Sequence, residues 1–184
     1  MLDNISRLAD EVGATLDRPR GSHDGLSLLG RVEAVLRGPD GRIKARCVTH
    51  NLITSVGDQG YAGQVLSSGK PTIPTGMKLG TGSTAVAKTG AGAALVTYLS
   101  ASNKLLDATY PTAAAGVVTW RRTYAAGEAT TASAITEVAL VTDAATDATS
   151  TAANTWSRAI LAGIGSKGAS DTLTITWTHT LLGA

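Results

Sequence analysis

Residues 171–182 constrain the fold more than any other stretch, because Leu173, Ile175, Trp177 and His179 alternate with Thr172, Thr174, Thr176, Thr178 and Thr180. A two-residue period belongs to a β-strand, with one face for a core and the other for water or a neighbour. The rhythm recurs in residues 117–124, 135–142 and 155–163, each bounded by Gly, Ala, Ser, Thr or Asp, and no long helical segment intervenes. The chain therefore reads as mainly β, an antiparallel β-sandwich or barrel with one short packed helix and an N-terminal helical arm.

At 184 residues the chain suits one domain of ordinary size plus an appendage. We divide it into residues 1–25, an arm and linker, and residues 26–184, the β-body. Aromatic residues make up only 4% and Phe is absent, so most of the core is expected to be Ala, Val, Ile and Leu. A buried aromatic contributes roughly 150–250 Å² by itself, and its scarcity makes an oligomer or surrounding assembly a sensible source of extra stability. The net charge of +2 is too weak to point to nucleic acid. The single cysteine, Cys47, has no internal disulfide partner and falls in a strand-like run, where a buried, unreactive thiol is the usual outcome. The N-terminus lacks the basic-then-apolar pattern of a secretory signal, and no apolar run approaches the roughly 20 residues of a membrane span. Synthesis and folding in a cytoplasm, with no membrane partner, is the expectation.

Leu2, Ile5, Leu8, Ala9, Val12 and Leu16 recur at spacings of three and four, which predicts a short amphipathic helix over residues 2–16. Pro19, Gly21 and Gly25 then separate it from the body. A helix of about 15 residues is marginal alone in water, so its apolar stripe needs a docking place. Leu2, Ile5, Leu8 and Val12 are accordingly candidate partner-binding residues, the segment acting as an arm that grips a neighbouring subunit. The alternatives are a helix folded back on its own body and a disordered end.

Residues 28–48 form two alternating runs around Gly38-Pro39-Asp40-Gly41. Proline presets the φ of the first turn corner and glycine accepts a positive φ beyond it, which predicts a β-hairpin. Val32, Ala34 and Leu36 are expected to face inward with Ile43, Ala45 and Cys47. Arg31, Arg37, Arg42, Lys44 and Arg46 then face outward with Glu33, the only concentrated basic face in the sequence. Arg42, Lys44 and Arg46 are the second set of candidate partner-binding residues, suited to an acidic protein surface. A solvated face that protects an edge strand is the commoner explanation of such a pattern.

Asn51 reads as an N-cap of a helix carrying Leu52, Val56, Val65 and Leu66, weakened by Gly57, Gly60 and Gly63. Glycines three apart also form a smooth stripe on which another backbone can approach closely. Met77-Lys78-Leu79 reads as a short strand followed by a long Gly/Ala loop. That loop resembles a Walker A sequence only superficially. Counting from Gly82, Ala87 stands where the second glycine belongs, and no apolar helix follows Lys88-Thr89.

Catalytic and metal chemistry find no foothold in this pattern, and no cofactor is expected. His23, His50 and His179 are far apart and lie in no metal-ligand spacing. His179 shares the inward face of Trp177, where a hydrogen-bonded, packed histidine is expected. Asp143 and Asp147 lie in an Ala/Thr loop without the oxygen-ligand periodicity of a calcium loop. Glu137 is a carboxylate inside an apolar strand without a partner carboxylate at a predictable position. It is expected to pair with Arg121, Arg122 or Arg158 on a neighbouring strand. Arg121 and Arg122 necessarily face opposite ways.

The order of these segments carries a resemblance. His50-Asn51-Leu52-Ile53-Thr54 comes first, followed by residues 77–84, the Glu137-containing residues 135–140, then Ser157-Arg158-Ala159-Ile160, and last residues 167–177. This succession resembles small virion proteins of tailed bacteriophages, variously head decoration or tail-fibre-like proteins. Tail-collar fibre domains share a similar GTG-type loop, Glu-x-x-Leu strand and final Leu-x-Ile-x-Trp-type strand. The likeness spans roughly residues 28–184 and leaves out the arm. It implies a non-enzymatic structural protein of the virion, made in the bacterial host cytoplasm. The expected partners are the major capsid protein or other virion proteins, and further copies of the chain as a dimer or trimer. A fibre would usually be longer, with repeats or a coiled-coil stalk, which favours a capsid decoration (cement) protein. A tail, neck or baseplate component is the alternative, and a carbohydrate-binding surface module the further one.

Overall fold

The computed structural model describes residues 26–183, and the arm candidates Leu2, Ile5, Leu8 and Val12 lie outside them. The described chain is mainly β, two five-stranded antiparallel sheets and one short α-helix. The first sheet contains β1 (Leu26–Arg37), β2 (Ile43–His50), β6 (Thr112–Ala114), β7 (Val117–Tyr124) and β10 (Thr172–Gly183) in the order β2-β1-β10-β7-β6. The second contains β3 (Leu52–Ile53), β4 (Gly76–Gly80), β5 (Lys104–Leu105), β8 (Glu137–Val141) and β9 (Thr155–Ile160) in the order β3-β9-β8-β4-β5. These are two open sheets sharing one core, rather than one closed barrel.

The alternation in β10 resolves as its period demands. Leu173, Ile175, Trp177 and His179 are fully buried, while the intervening threonines are half-buried on the opposite face. Across the core they meet Met77 and Leu79 of β4 and Val138 and Leu140 of β8. The few aromatics are concentrated here. Trp120, Trp156 and Trp177 are 3%, 2% and 0% exposed, so all the tryptophan of this aromatic-poor chain goes into packing.

The Gly38–Gly41 turn forms with Gly41 at φ 75°, Gly38 N–H donating to Arg42 O at 2.9 Å, and the Asp40 carboxylate accepting from Arg42 N at 3.0 Å. One expectation fails beside it. Leu36 pairs with Ala45 but Arg37 pairs with Ile43, so β2 advances two residues where β1 advances one. This bulge turns Ile43 onto the face of Arg37, where it is 53% exposed. Val32, Ala34, Leu36 and Cys47 are buried as alternation predicts, and Ala45 packs at the margin.

The helix is shorter than its spacing suggests. Leu52 and Ile53 form β3, Thr54 is the N-cap with its hydroxyl accepting from Gly57 N, and α1 covers Ser55–Gly63. Val65 and Leu66 lie beyond it, exposed. Thr54 prevails over Asn51 because its hydroxyl also donates to Thr155 O at 2.6 Å, fixing the start of α1 to β9. The glycine stripe performs as expected. A Cβ on Gly57 would lie 2.2 Å from Trp156 O, and one on Gly60 2.2 Å from the Trp156 ring, so their absence lets α1 lie directly on β9.

Candidate functional site

Three constellations have the burial or charge of a functional site. The outermost is the β1–β2 hairpin. Arg42, Lys44 and Arg46 project outward, but each faces a carboxylate: Arg42–Asp40 at 3.6 Å, Lys44–Asp171 at 2.7 Å and Arg46–Glu33 at 2.7 Å. Asp171 was not foreseen as a partner. It arrives from the loop before β10, accepting also from Gly168 N at 2.9 Å. The hydrogen bond from Lys44, reinforced by that of Gly168, holds its carboxyl below the usual range. The hairpin is thus a patchwork of ion pairs, with side-chain exposures of 89% at Arg42, 50% at Lys44 and 56% at Arg46. The exposed Arg42–Asp40 pair contributes about 0–1 kcal/mol, so its cation is easily redirected to another acidic group, whereas Lys44 and Arg46 reach carboxylates that are largely buried.

The second constellation is buried on the far side of the second sheet. Glu137 and Arg158 are 0% exposed and paired, with Arg158 Nη2 donating to Glu137 Oε2 at 2.6 Å and Nε at 3.0 Å. Of the three arginines considered for Glu137, Arg158 is the partner, because Ala139 of β8 pairs directly with it. The other carboxylate oxygen, Oε1, accepts from the backbone N–H of Gly82 at 3.0 Å, Val96 at 3.1 Å and Thr97 at 2.9 Å. Arg158 Nη1 donates to Gly92 O at 3.1 Å. Both ions are satisfied by the same loop, residues 81–97, whose Leu95 packs with Ala139, Val141 and Ala144. A Cβ on Gly80 or Gly82 would lie within 2.6 Å of Glu137 Oε1, which accounts for glycine at both ends of the GTG sequence. Lys78, fully buried on the same face, donates to Asp143 Oδ2 at 2.9 Å, a contact that strand alternation alone did not reveal. Asp147 accepts from Tyr98 Oη at 2.6 Å and Ala101 N at 2.9 Å. Asp143 and Asp147 therefore brace loops.

The third constellation surrounds His179. Trp177 Nε1–H, a donor only, points at His179 Nε2 at 3.0 Å, so this nitrogen is the acceptor. The proton of the neutral ring is therefore assigned to Nδ1, which donates to Tyr61 Oη at 2.7 Å. Asn51 Nδ2 lies 3.1 Å from Nε2 and also bonds Ser157 Oγ. Its Oδ1 is buried without a hydrogen-bond partner, directed at the position a Gly30 side chain would occupy. Burial lowers the His179 pKa to about 3. The ring is neutral and joins β10, α1, Trp120 of β7 and the β2–β3 connection, with Asn51 extending the network to Ser157 of β9.

Among the described residues no group of three or more His, Cys, Asp or Glu is placed to hold a metal ion, and no helix is long and apolar enough to cross a membrane. A groove of about 250 Å³ beside α1 is lined by Val56, Gln59, Pro71, Thr72, Thr142 and Trp156, none of them titratable. Comparison with protein-family models, curated proteins and solved structures finds no match to this chain.

Proposed function

We propose that the chain is a non-enzymatic structural protein of a tailed-bacteriophage particle, acting as a capsid decoration protein that binds the shell through its N-terminal arm and the β1–β2 hairpin. The supporting observation is a convergence. Residues 77–84, 135–140 and 157–160, three of the five stretches that carry the resemblance to phage virion proteins, supply Gly82, Glu137 and Arg158 of the clamp. Their residue types are tied to one another in this chain by hydrogen bonds and close approach. The clamp fastens a loop to the sheet, a task of rigidity and not of turnover. The tail or fibre alternative draws on the same stretches, since tail-collar domains share them. A carbohydrate-binding role needs an exposed aromatic platform, and all three tryptophans are packed inside.

Rebinding of the purified protein to particles that lack it tests this reading. Saturable binding is expected, weakened by the combined changes Arg42→Ser, Lys44→Ser and Arg46→Ser. The wild-type advantage should shrink as salt rises, because exposed charges are screened within about 10 Å at 0.1 M. Absence of wild-type binding would contradict the particle reading. Equal occupancy by the triple variant would return the hairpin to solvent.

A further inference from the structure

The outer face of the first sheet is a left–right self-complementary surface, and we infer that two copies of this chain pack through it about a twofold axis running along β10. The pairing registers place its residues in rows across the strands. Leu29, Thr180 and Val117 share one row; Glu33, Thr176 and Arg121 share another. Arg46 lies two strands out from Thr174 on the β2 side. On the opposite side, the Asp107 carboxylate accepts from Thr123 N at 2.9 Å and from Arg121 Nε at 2.9 Å. The middle of the face, β10, carries only threonine, and no described element covers it. Leu29 is 57% and Val48 50% exposed on its flank.

A twofold axis along β10 exchanges left and right while keeping each row. It sets Thr176 against its own copy and Leu29 against Val117 of the second copy. Glu33 then faces Arg121 of the second copy, and Arg46 faces its Asp107. Within each copy Glu33 pairs with Arg46 and, at 3.5 Å, with Arg31, and Asp107 pairs with Arg121 and, at 3.8 Å, with Arg122; the Arg46–Glu33 and Arg121–Asp107 pairs are oriented so that the axis stacks them head to tail. An uncharged centre with charged flanks is the anatomy of a specific protein interface. Facing sheets pack about 10 Å apart with strands aligned to about 30°, which the flat threonine strip permits. Threonine is stiff at χ1, so ordering it on association costs little entropy. β2 ends at the Thr178 row and β6 begins there, so the rows from Thr172 to Thr180 are about four strands wide and span about 26 Å by about 14 Å. That is on the order of 400 Å² from each copy, the size of a weak, concentration-dependent contact.

The inference goes beyond the particle reading by naming the symmetric contact, and it places Arg46 in that contact, leaving Arg42 and Lys44 of the hairpin to the shell. Its test uses the isolated full-length protein, so its failure leaves particle binding to be judged separately. Sedimentation equilibrium of the wild type should give a mass that rises towards twice 18.6 kDa as concentration increases. Thr176→Glu, which sets two carboxylates face to face on the axis, should give the monomer mass with an unchanged circular dichroism spectrum. Glu33→Arg and Arg121→Glu should each weaken the dimer at least tenfold, and the two together should restore it. A wild-type monomer, as expected if residues 1–25 cover this face, would overturn the inference. So would a trimer, or a dimer indifferent to Thr176→Glu and to both single charge reversals.

Discussion

His179 titrates very differently in the folded and the unfolded chain. Unfolded, its ring titrates near 6.5; folded, burial lowers this to about 3. Protons therefore bind the unfolded chain preferentially, and the contribution of a neutral His179 is complete above pH 6.5 and falls as pH drops towards the folded value. The expected loss is about 1.4 kcal/mol per pH unit below 6.5. Urea unfolding at pH 7.5, 6.5, 5.8 and 5 should show this decline, and His179→Gln should flatten it even if the variant is less stable throughout. A wild-type midpoint constant from pH 6.5 to 5 would contradict the buried, neutral ring. Below pH 5 other groups take over. Burial alone would raise the pKa of Asp107, but hydrogen bonds from Thr123 and Arg121 outweigh it and hold the group low. That contribution is lost only under more acid conditions.

At the scale of elements, the loop of residues 81–97 depends on two side chains belonging to strands β8 and β9. Glu137→Ala removes the acceptor of three backbone N–H groups and leaves Arg158 charged and buried. Breaking a buried pair in this way costs about 3–5 kcal/mol. Amides in the loop should exchange faster with solvent, while those at the centre of β10 lose only the global stability difference. Unchanged exchange at Val96 and Thr97 would show that the clamp does not hold the loop. How much of this was legible in sequence differs from element to element. The strict alternation in β10 announced its strand and both faces, and Pro39 with Gly41 announced the hairpin turn. The bulge opposite Leu36 was not visible, since one extra residue leaves composition unchanged while reversing Ile43. The helix start was misplaced because Asn51 and Thr54 are both competent caps, and the choice was made by Thr155 O, about a hundred residues away in the chain. Glu137 could be assigned an arginine partner but not which one, because strand order decides that. The buried Lys78 was hidden for a different reason. Its strand is covered on both faces, the outer cover being a loop that has no period to read.

The whole molecule combines a mixed, partly polar core with an exterior of threonine, small residues and paired charges. The two sheets are bridged at one end by His179, Tyr61, Asn51 and the tryptophans. The far face of the second sheet is sealed by the clamped loop. Among the described residues no element covers the outer face of the first sheet, of which the charged hairpin is one side. Such a body offers a rigid surface for repeated contacts, where several modest interfaces add through avidity. The proposed place on the shell of a particle makes a quantitative demand that no property of the isolated chain can meet. The decisive measurement is the copy number of this protein in purified particles, by mass spectrometry against the major capsid protein. Hundreds of copies per particle is the predicted result; a dozen or fewer would move the protein to the tail or neck, and its absence from the particle would contradict the account.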